Sequence, residues 1–131
     1  MCGITGFIGF NNNPELAENA NKIQQHRGPD NQSMWNDEYI ALAHQRLSII
    51  DLSDAANQPF HKDDLVIVFN GEIYNYIDLQ EKLKNERQVI FTTSSDTEVV
   101  LEMYRHYGAL CFDFLIGMFA FAIYDKKSSA V

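Results

Sequence analysis

Short apolar runs and amphipathic stretches alternate along the chain, and this alternation predicts its strands and helices. Apolar runs bounded by turn residues are typical of β-strands. On this basis we predict a first strand over 3–10, a hairpin over 34–43, short strands over 47–50 and 89–91, and buried strands over 65–69 and 117–124. Residues 51–63 carry no such pattern and are predicted to form a loop.

Three stretches carry apolar residues at helical spacing, over about 14–25, about 75–86 and from Ser95 onward. The first is preceded by Asn13, the expected N-cap, with proline at the first helical position. The third opens with a capping box, in which Ser95 caps the backbone and Glu98 reaches back. The residues expected on the inward faces are Leu16, Ala20 and Ile23 in the first helix, Tyr76, Leu79 and Leu83 in the second, and Val99, Val100, Met103, Tyr104 and Tyr107 in the third.

Helices combined with strands that are apolar on both faces favour a layered α/β sandwich over a bundle or a barrel. The length of 131 residues suggests a single domain. The net charge of −8 argues against a nucleic-acid surface, which needs clustered lysine and arginine, and against binding to an anionic membrane. The apolar runs are far shorter than the ~20 residues of a membrane span, and no signal-peptide pattern opens the chain.

The two cysteines, Cys2 and Cys111, do not form a disulfide framework, so a reducing cytoplasm is the simplest location. Cys111 lies in an apolar stretch and is expected to be a buried, small apolar residue. The histidines show no metal-ligand spacing, and no glycine-rich phosphate loop is present. We therefore predict neither a metal site nor an ATP site in this chain.

Cys2 is the first candidate for chemistry because only the initiator methionine precedes it. If Met1 is removed, one residue carries both a thiol and a free α-amine, and a terminal residue that acts as its own base is a known route to acyl transfer. The alternative interpretation is that Cys2 is a packed core residue, since buried cysteine is common.

Three further segments place polar groups where the apolar pattern stops. Arg46 offers a planar fork for a carboxylate, with a surface ion pair as the alternative. The Asn70 side chain beside the Gly71 N–H is a plausible donor pair for an oxyanion, with an ordinary turn as the alternative. Asp96 lies in the first turn of a helix, where it could hold an ammonium or act only as a cap. Together with Cys2, these groups suit an amino acid with a side-chain amide, such as glutamine.

Longer motifs carry a resemblance to a known family, namely 1–4 (Met-Cys-Gly-Ile), 26–30 (His-Arg-Gly-Pro-Asp) and 70–72 (Asn-Gly-Glu). The chain resembles the N-terminal glutaminase domain of class II glutamine amidotransferases, which are N-terminal-nucleophile hydrolases. Segments 42–52, 69–75 and 95–98 are most similar to glutamine-hydrolysing asparagine synthetase. The resemblance covers residues 1–131 and implies a four-layer αββα sandwich.

The resemblance also implies an activity and a role for each matching position. The chain would hydrolyse L-glutamine to glutamate and ammonia through a glutamyl thioester on Cys2, whose α-amine would act first as base and then as acid. The Asn70 side chain and the Gly71 N–H would form the oxyanion hole, and Arg27 would support the Cys2 loop. The residues implied in substrate binding are Arg46 for the α-carboxylate, Asp96 with Glu72 for the α-ammonium, Asn70 and Gly71, and the pocket wall of Leu47, Ser48, Ile49 and Ile50.

Members of this family continue beyond the last strand predicted here. We therefore expect a glutaminase domain that is incomplete at its C-terminus, with the ATP- and Mg-dependent synthetase domain that would accept ammonia for asparagine formation absent. The strand over 117–124 would then be an apolar edge, weakly protected by Lys126 and Lys127 and expected to pair with further chain or in a homodimer. The alternative function is a non-catalytic, truncated homologue that serves as an interaction module or is an inactive fragment.

Overall fold

The computed structural model describes residues 1–9 and 14–131 and contains two three-stranded antiparallel sheets. The strands are β1 (Gly3–Ile8), β2 (Asn31–Asn36), β3 (Ile40–Arg46), β4 (Phe60–Lys62), β5 (Leu65–Ile73) and β6 (Gly117–Asp125). The helices are α1 (Pro14–Ile23), α2 (Tyr76–Arg87) and α3 (Asp96–Tyr107), with 3₁₀ turns over Gln25–Arg27, Asp54–Ala56 and Gly108–Phe114. The expected N-cap Asn13 and the end of the predicted first strand lie outside the described residues.

The first sheet has the strand order β1-β3-β2 and the second has the order β4-β5-β6. In the first sheet, Gly3 pairs with Gln45 and Asn31 pairs with Arg46. The beginning of the chain and the beginning of β2 therefore lie together at the C-terminal end of β3. The predicted hairpin over 34–43 is confirmed by the antiparallel pairing of β2 and β3.

Alternation along the two central strands assigns each face to one layer, because neighbouring side chains point to opposite faces. The core between the sheets consists of Ile40, Leu42, Val66, Val68 and Tyr124. The other face of β5, with Ile67 and Phe69, belongs to the larger core that includes the apolar faces of α2 and α3. The other face of β3 is covered by α1, where Gln45 Nε2 donates to the carbonyl oxygen of Asn21 at 2.8 Å. This order of layers confirms the predicted αββα sandwich.

The predicted strands over 47–50 and 89–91 are wrong, because their backbone groups have other partners. β3 ends at Arg46, and the Ser48 N–H then donates to the Asp30 carboxylate at 2.8 Å. The Val89 N–H donates back to the Leu83 carbonyl oxygen at 3.4 Å, at the C-terminal end of α2. The predicted loop over 51–63 contains a 3₁₀ turn and the short strand β4, which pairs with β5.

Burial confirms the inward faces predicted for α2 and α3 but not the face predicted for α1. Leu16 and Ile23 are 53% and 78% exposed, and the helix buries Ala17 and Asn21 instead. The reason is that Asn21 Nδ2 donates to the carbonyl oxygen of His44 at 3.3 Å, which orients this polar side of the helix towards β3. The residues that are buried as predicted are Leu79, Leu83, Val99, Val100, Met103 and Cys111.

The last strand is also less buried than its apolar pattern suggests. β6 lies at the edge of its sheet, and only Ile123 and Tyr124 within it are buried, whereas Met118 is 68% exposed. After β6 the chain turns, and the Asp125 N–H donates to the Ala130 carbonyl oxygen at 2.9 Å. Within the described ranges, none of the helices is both long and apolar enough to cross a bilayer.

His44 joins the two sheets through a buried hydrogen bond. Its side chain is inaccessible to solvent, and Nε2 lies 3.1 Å from the Phe69 carbonyl oxygen, so Nε2 carries the proton and donates. Burial lowers the pKa of His44 to about 4, and the nearby charge of Arg46 contributes to the decrease. The imidazole is therefore neutral at pH 7 in the folded chain.

This buried imidazole predicts an acid-sensitive fold. Between pH 6.5 and about 4 the unfolded chain binds a proton at His44 that the folded chain excludes, so the free energy of unfolding falls as the pH drops through this window. The loss attributable to His44 is on the order of 3 kcal/mol. Urea unfolding across the window should show a smaller pH dependence for His44→Gln than for the wild type. The exposed-residue control His26→Gln should keep the wild-type slope, and an unchanged slope in His44→Gln would contradict the assignment.

Candidate active site

Cys2 lines a cavity of about 190 Å³ at the end of the sandwich where the chain begins. Drug-sized ligands occupy pockets of roughly 300–1,000 Å³, so this volume suits a molecule the size of a single amino acid. All but two of the predicted site residues line the cavity, namely Cys2, Arg46, Leu47, Ile49, Ile50, Gly71, Glu72 and Asp96. The structure thus brings together residues from four separate stretches of sequence.

Ser48 and Asn70 are the two predicted site residues that are not part of the cavity wall. Ser48 has its backbone N–H engaged by Asp30. Asn70 lies in β5 opposite Ala120 of β6. Its Oδ1 is buried and accepts no hydrogen bond from any residue that the structure describes. The amide is therefore not committed to a partner in this part of the chain.

Cys2 precedes β1 directly and is held by contacts with two other segments. The Leu47 N–H points at Cys2 Sγ over an N to S distance of 3.4 Å, and the thiol lies 3.7 Å from the Leu47 carbonyl oxygen. Arg27 Nε donates to the Cys2 carbonyl oxygen at 3.2 Å. This contact agrees with the supporting role expected for Arg27. Met1 also lines the cavity, so the residue that must be removed to free the Cys2 amine lies at the site.

The turn over 26–30 lies flat against the end of β3. A Cβ on Gly28 would meet backbone atoms of Gln45 and Arg46 at about 2.5 Å, which leaves room only for glycine. The Asp30 N–H donates to the Arg46 carbonyl oxygen at 3.0 Å, and the Asp30 carboxylate holds Ser48. The turn therefore positions both the Cys2 backbone and the segment that follows Arg46.

Arg46 is almost fully buried, and its guanidinium holds the loop that follows it. Nη1 donates to the Ser53 carbonyl oxygen at 2.8 Å and to Asn57 Oδ1 at 2.6 Å, and Nη2 donates to the Asp51 carbonyl oxygen. A guanidinium has five N–H groups, so Nε–H and one N–H of Nη2 have no acceptor among the described residues. Arg46 is thus both a structural anchor and a cation with two donors available at the cavity.

Asp96 lies at the first position of α3, with its side chain mostly buried. The Ile73 N–H donates to Asp96 Oδ2 at 3.0 Å, which joins the start of α3 to the end of β5. Burial raises the pKa of Asp96, and the negative charge of Glu72 raises it further. No cation in the part of the chain that the structure describes pairs with this buried carboxylate, and such an environment favours an incoming positive group.

The cavity wall also contains residues that the sequence analysis did not single out. Gln58 is buried, accepts from the Phe69 N–H through Oε1 at 2.6 Å and donates from Nε2 to Thr97 Oγ1 at 3.3 Å. Asp51 and Met118 line the cavity from the loop after β3 and from β6. Gln58 and Asp51 lie in a stretch predicted to be loop, where polar residues are common. The sequence therefore gives no signal that they line the cavity.

The fold is that of a solved amidotransferase. The glutamine phosphoribosylpyrophosphate amidotransferase of Bacillus subtilis, solved in complex with ADP and GMP, matches with a TM-score of 0.76. The match covers 94% of this chain and 35% of that chain, at 22% sequence identity, and so shows the fold alone. This chain therefore has the αββα sandwich fold of that amidotransferase domain.

Sequence comparison then gives the family. Residues 1–131 match the family described as glutamine amidotransferase domain. The glutamine-hydrolyzing asparagine synthetase 1 of Bacillus subtilis (strain 168) is 42% identical over 136 residues. The putative glutamine-hydrolyzing asparagine synthetase 2 of Methanocaldococcus jannaschii and the amidase chry2 of Gibberella zeae are each 38% identical, over 153 and 144 residues. This chain belongs to the glutamine amidotransferase domain family.

The three alignments take in nearly all of this chain but a small part of the relatives. They cover 97%, 100% and 97% of the chain, and 21%, 29% and 21% of the respective relatives. The chain therefore spans less than a third of the length of these curated relatives.

Gly71 gives a prediction about the local architecture of the site. It lies in β5 with a φ of +154°, and a Cβ there would come within 2.5 Å of Phe119 Cα in the neighbouring strand. We expect Gly71→Ala to lower the free energy of unfolding by about 2–4 kcal/mol through overpacking and backbone strain. Chemical denaturation measures this. Gly6→Ala is the matched control, because a Cβ at Gly6 would meet a Leu42 methyl group at 3.3 Å and the Ala41 carbonyl oxygen at 3.9 Å, both at much longer range. Equal stability of the two variants would contradict the close approach of β6.

Proposed function

We propose that this chain hydrolyses L-glutamine to glutamate and ammonia, with Cys2 as the nucleophile. The observation that carries the proposal is that Cys2, Arg46 and Asp96 line one cavity of about 190 Å³. Membership of the glutamine amidotransferase domain family supports glutamine as the substrate. So do the relatives from Bacillus subtilis and Methanocaldococcus jannaschii, whose names describe them as glutamine-hydrolyzing.

In the proposed reaction, removal of Met1 leaves the α-amine of Cys2 next to its own thiol. The amine takes the thiol proton, and the sulfur attacks the side-chain amide carbon of glutamine to form a C–S bond. The leaving nitrogen receives the proton back and departs as ammonia, and water then hydrolyses the thioester to release glutamate. The Leu47 N–H, 3.4 Å from Cys2 Sγ, supports this role because it holds the sulfur at the cavity wall.

We propose that the Asn70 side chain and the Gly71 N–H stabilise the oxyanion that forms on the amide carbon. The support for Asn70 is its place towards the polar end of β5, directly before Gly71. Gly71 lines the cavity itself. Loss of one such donor costs roughly 2.7–4 kcal/mol in the barrier of comparable reactions.

We propose that Arg46 and Asp96, with Glu72, bind the two charged groups on the α-carbon of the substrate. The two free donors of the Arg46 guanidinium suit a carboxylate, which accepts a pair of hydrogen bonds. A substrate ammonium would offset both the burial of the Asp96 carboxylate and the nearby negative charge of Glu72. Leu47, Ile49 and Ile50 would form the wall against which the aliphatic part of glutamine packs.

We further propose that the ammonia passes to a synthetase-type domain or subunit. The support is that relatives named asparagine synthetases include this domain as 21% to 29% of their length. Asparagine formation therefore rests on these relatives, whereas glutamine hydrolysis rests on the cavity of this chain as well.

The nucleophile assignment predicts that Cys2→Ala abolishes glutamine hydrolysis without unfolding the chain. An alkylating glutamine analogue should modify the wild type at Cys2, as located by peptide mass spectrometry. Cys111→Ala is the matched control and should keep both hydrolysis and labelling, because Cys111 is fully buried in the apolar core and burial raises the pKa of its thiol to about 11. Turnover retained in Cys2→Ala would remove the assignment. A wild type that is neither active nor labelled after Met1 removal would favour a non-catalytic interaction module.

The carboxylate assignment predicts that Arg46→Lys raises the KM for glutamine roughly 10- to 100-fold, with a smaller change in kcat, since lysine cannot offer two parallel donors. Steady-state ammonia release measures both constants. Arg105→Lys is a matched control, because Arg105 binds Asp63 and Glu102 away from the cavity and should keep the wild-type KM. An unchanged KM in Arg46→Lys would refute the role in binding.

A further inference from the structure

Both carboxylate oxygens of Asp51 accept hydrogen bonds, one from the residue's own loop and the other from a distant segment of the chain. Oδ1 accepts from the Ser53 N–H at 2.8 Å and from Ser53 Oγ at 2.6 Å. Oδ2 accepts from the Ser94 N–H at 2.9 Å and from Ser94 Oγ at 3.1 Å, across 43 positions of sequence. The main-chain carbonyl of the same residue accepts from the Arg46 guanidinium.

The two segments that Asp51 connects each carry one charged group of the proposed substrate site. The arginine loop, defined here as residues 51–57, surrounds the Arg46 guanidinium with oxygen acceptors. The serine segment, defined here as residues 92–95, leads directly into α3, where Asp96 is the first residue. Asp51 thus lies between the cation expected to bind a carboxylate and the anion expected to bind an ammonium.

The serine segment is fixed on its other side by Glu98. This fully buried carboxylate accepts from the Thr92 and Thr93 N–H groups at 3.0 and 2.7 Å and binds Lys62 Nζ at 2.8 Å. The sequence predicted instead that Glu98 would reach back to the N–H of its own cap, Ser95. Ser95 does cap the helix, by accepting from the Glu98 N–H at 3.3 Å, but the Glu98 side chain binds Lys62 and the residues before the cap.

We propose that Asp51 is a positioning residue that sets the separation between the Arg46 and Asp96 binding groups and thereby the affinity for the substrate. The inference rests on the proposed glutaminase function. The α-carboxylate and α-ammonium of an amino acid share one carbon, so both protein groups must hold their places to within about 0.5 Å to bind them together. Surface loops move independently unless they are tied down, and Asp51 accepts two hydrogen bonds from Ser94 across the two segments and two from Ser53 within its own loop. Gln58 adds a longer link to Thr97, at 3.3 Å.

The chemical groups of the reaction do not depend on this tie. Cys2 is held by Arg27 and by the segment after β3, and Asn70 and Gly71 are part of the paired strand β5. Loss of the Asp51 carboxylate should therefore weaken substrate binding and leave the rate of the bound complex nearly unchanged. A role in stability alone would not separate KM from kcat in this way.

The test is Asp51→Asn in the full chain with Met1 removed, assayed by steady-state ammonia release from L-glutamine. The amide keeps the size of the side chain but offers one acceptor oxygen, so one of the two segments loses its hydrogen bonds. We expect KM to rise about tenfold and kcat to stay within about twofold of the wild type, as for the loss of one charge-assisted contact. Asp125→Asn is the matched control, because Asp125 holds Lys127 and Ser128 in a similar local turn that does not line the cavity.

A second variant keeps the test decisive if Asp51→Asn does not fold. Ser94→Ala removes one of the two donors from the serine segment and should raise KM about threefold, whereas Ser53→Ala, which affects only the local contact of the arginine loop, should change KM less. The effects of Asp51→Asn and Ser94→Ala should be less than additive in the double variant, since both break the same link.

The outcomes separate the inference from the function on which it rests. Wild-type turnover and Cys2 labelling with an unchanged KM in both Asp51→Asn and Ser94→Ala would overturn the positioning role alone. Equal losses in kcat and kcat/KM would also overturn it, because they would place Asp51 in the chemical step. A wild type without turnover or labelling would overturn the glutaminase function and this inference with it.

Discussion

The antiparallel pairing of β1 with β3 determines where the cavity lined by Cys2 and Arg46 can form. Gly3 lies opposite Gln45, so the cysteine directly before β1 lies beside the residues that directly follow β3, with Cys2 Sγ 3.4 Å from the Leu47 nitrogen. A slip of one residue would turn every side chain of β3 to the opposite face and would move Arg46 towards α1. The same register therefore places Cys2 and the Arg46 guanidinium at one cavity.

The cavity forms because the space between the sheets changes from apolar to polar along both central strands. On β3 this face begins with Ile40 and Leu42 and ends with His44 and Arg46; on β5 the aliphatic Val66 and Val68 are followed by Asn70 and Glu72. The apolar half holds the sheets together through burial. His44 marks the transition, since its neutral ring satisfies the Phe69 carbonyl without bringing a charge into the core. Beyond it, charged groups face a space that a polar ligand can fill.

Two hydrogen-bonded carboxylates, the buried Glu98 and the partly exposed Asp51, order the loops around this space. Burial alone would raise the pKa of Glu98, but Lys62 and the N–H groups of Thr92 and Thr93 hold it below its usual range. Asp51 also has a lowered pKa, because Ser53 and Ser94 donate to its carboxylate. The arginine loop and the serine segment are thus fixed by charge-assisted hydrogen bonds, which are stronger than neutral ones. Asp96, by contrast, has a raised pKa because it is buried near Glu72, and no cation within residues 1–9 and 14–131 forms an ion pair with it.

Local signals in the sequence were sufficient to predict elements that are defined by a cap, a helical spacing or an apolar run. They were also sufficient to predict residues with distinctive chemistry. The capping by Ser95, the helical spacing of Leu79 and Leu83, and the apolar run that begins β5 could all be predicted, as could Cys2 and Arg46 as neighbours of one cavity. The strands predicted over 47–50 and 89–91 are wrong, and so is the buried face predicted for α1. The backbone after β3 binds Asp30 instead, and Val89 closes the end of α2. In α1, Asn21 turns towards β3. Only the tertiary structure could show Asp51 and Gln58 at the site, since their hydrogen bonds cross 43 and 39 positions of sequence. Periodicity records which side chains avoid water, whereas the donor that meets a given carboxylate depends on how distant segments pack.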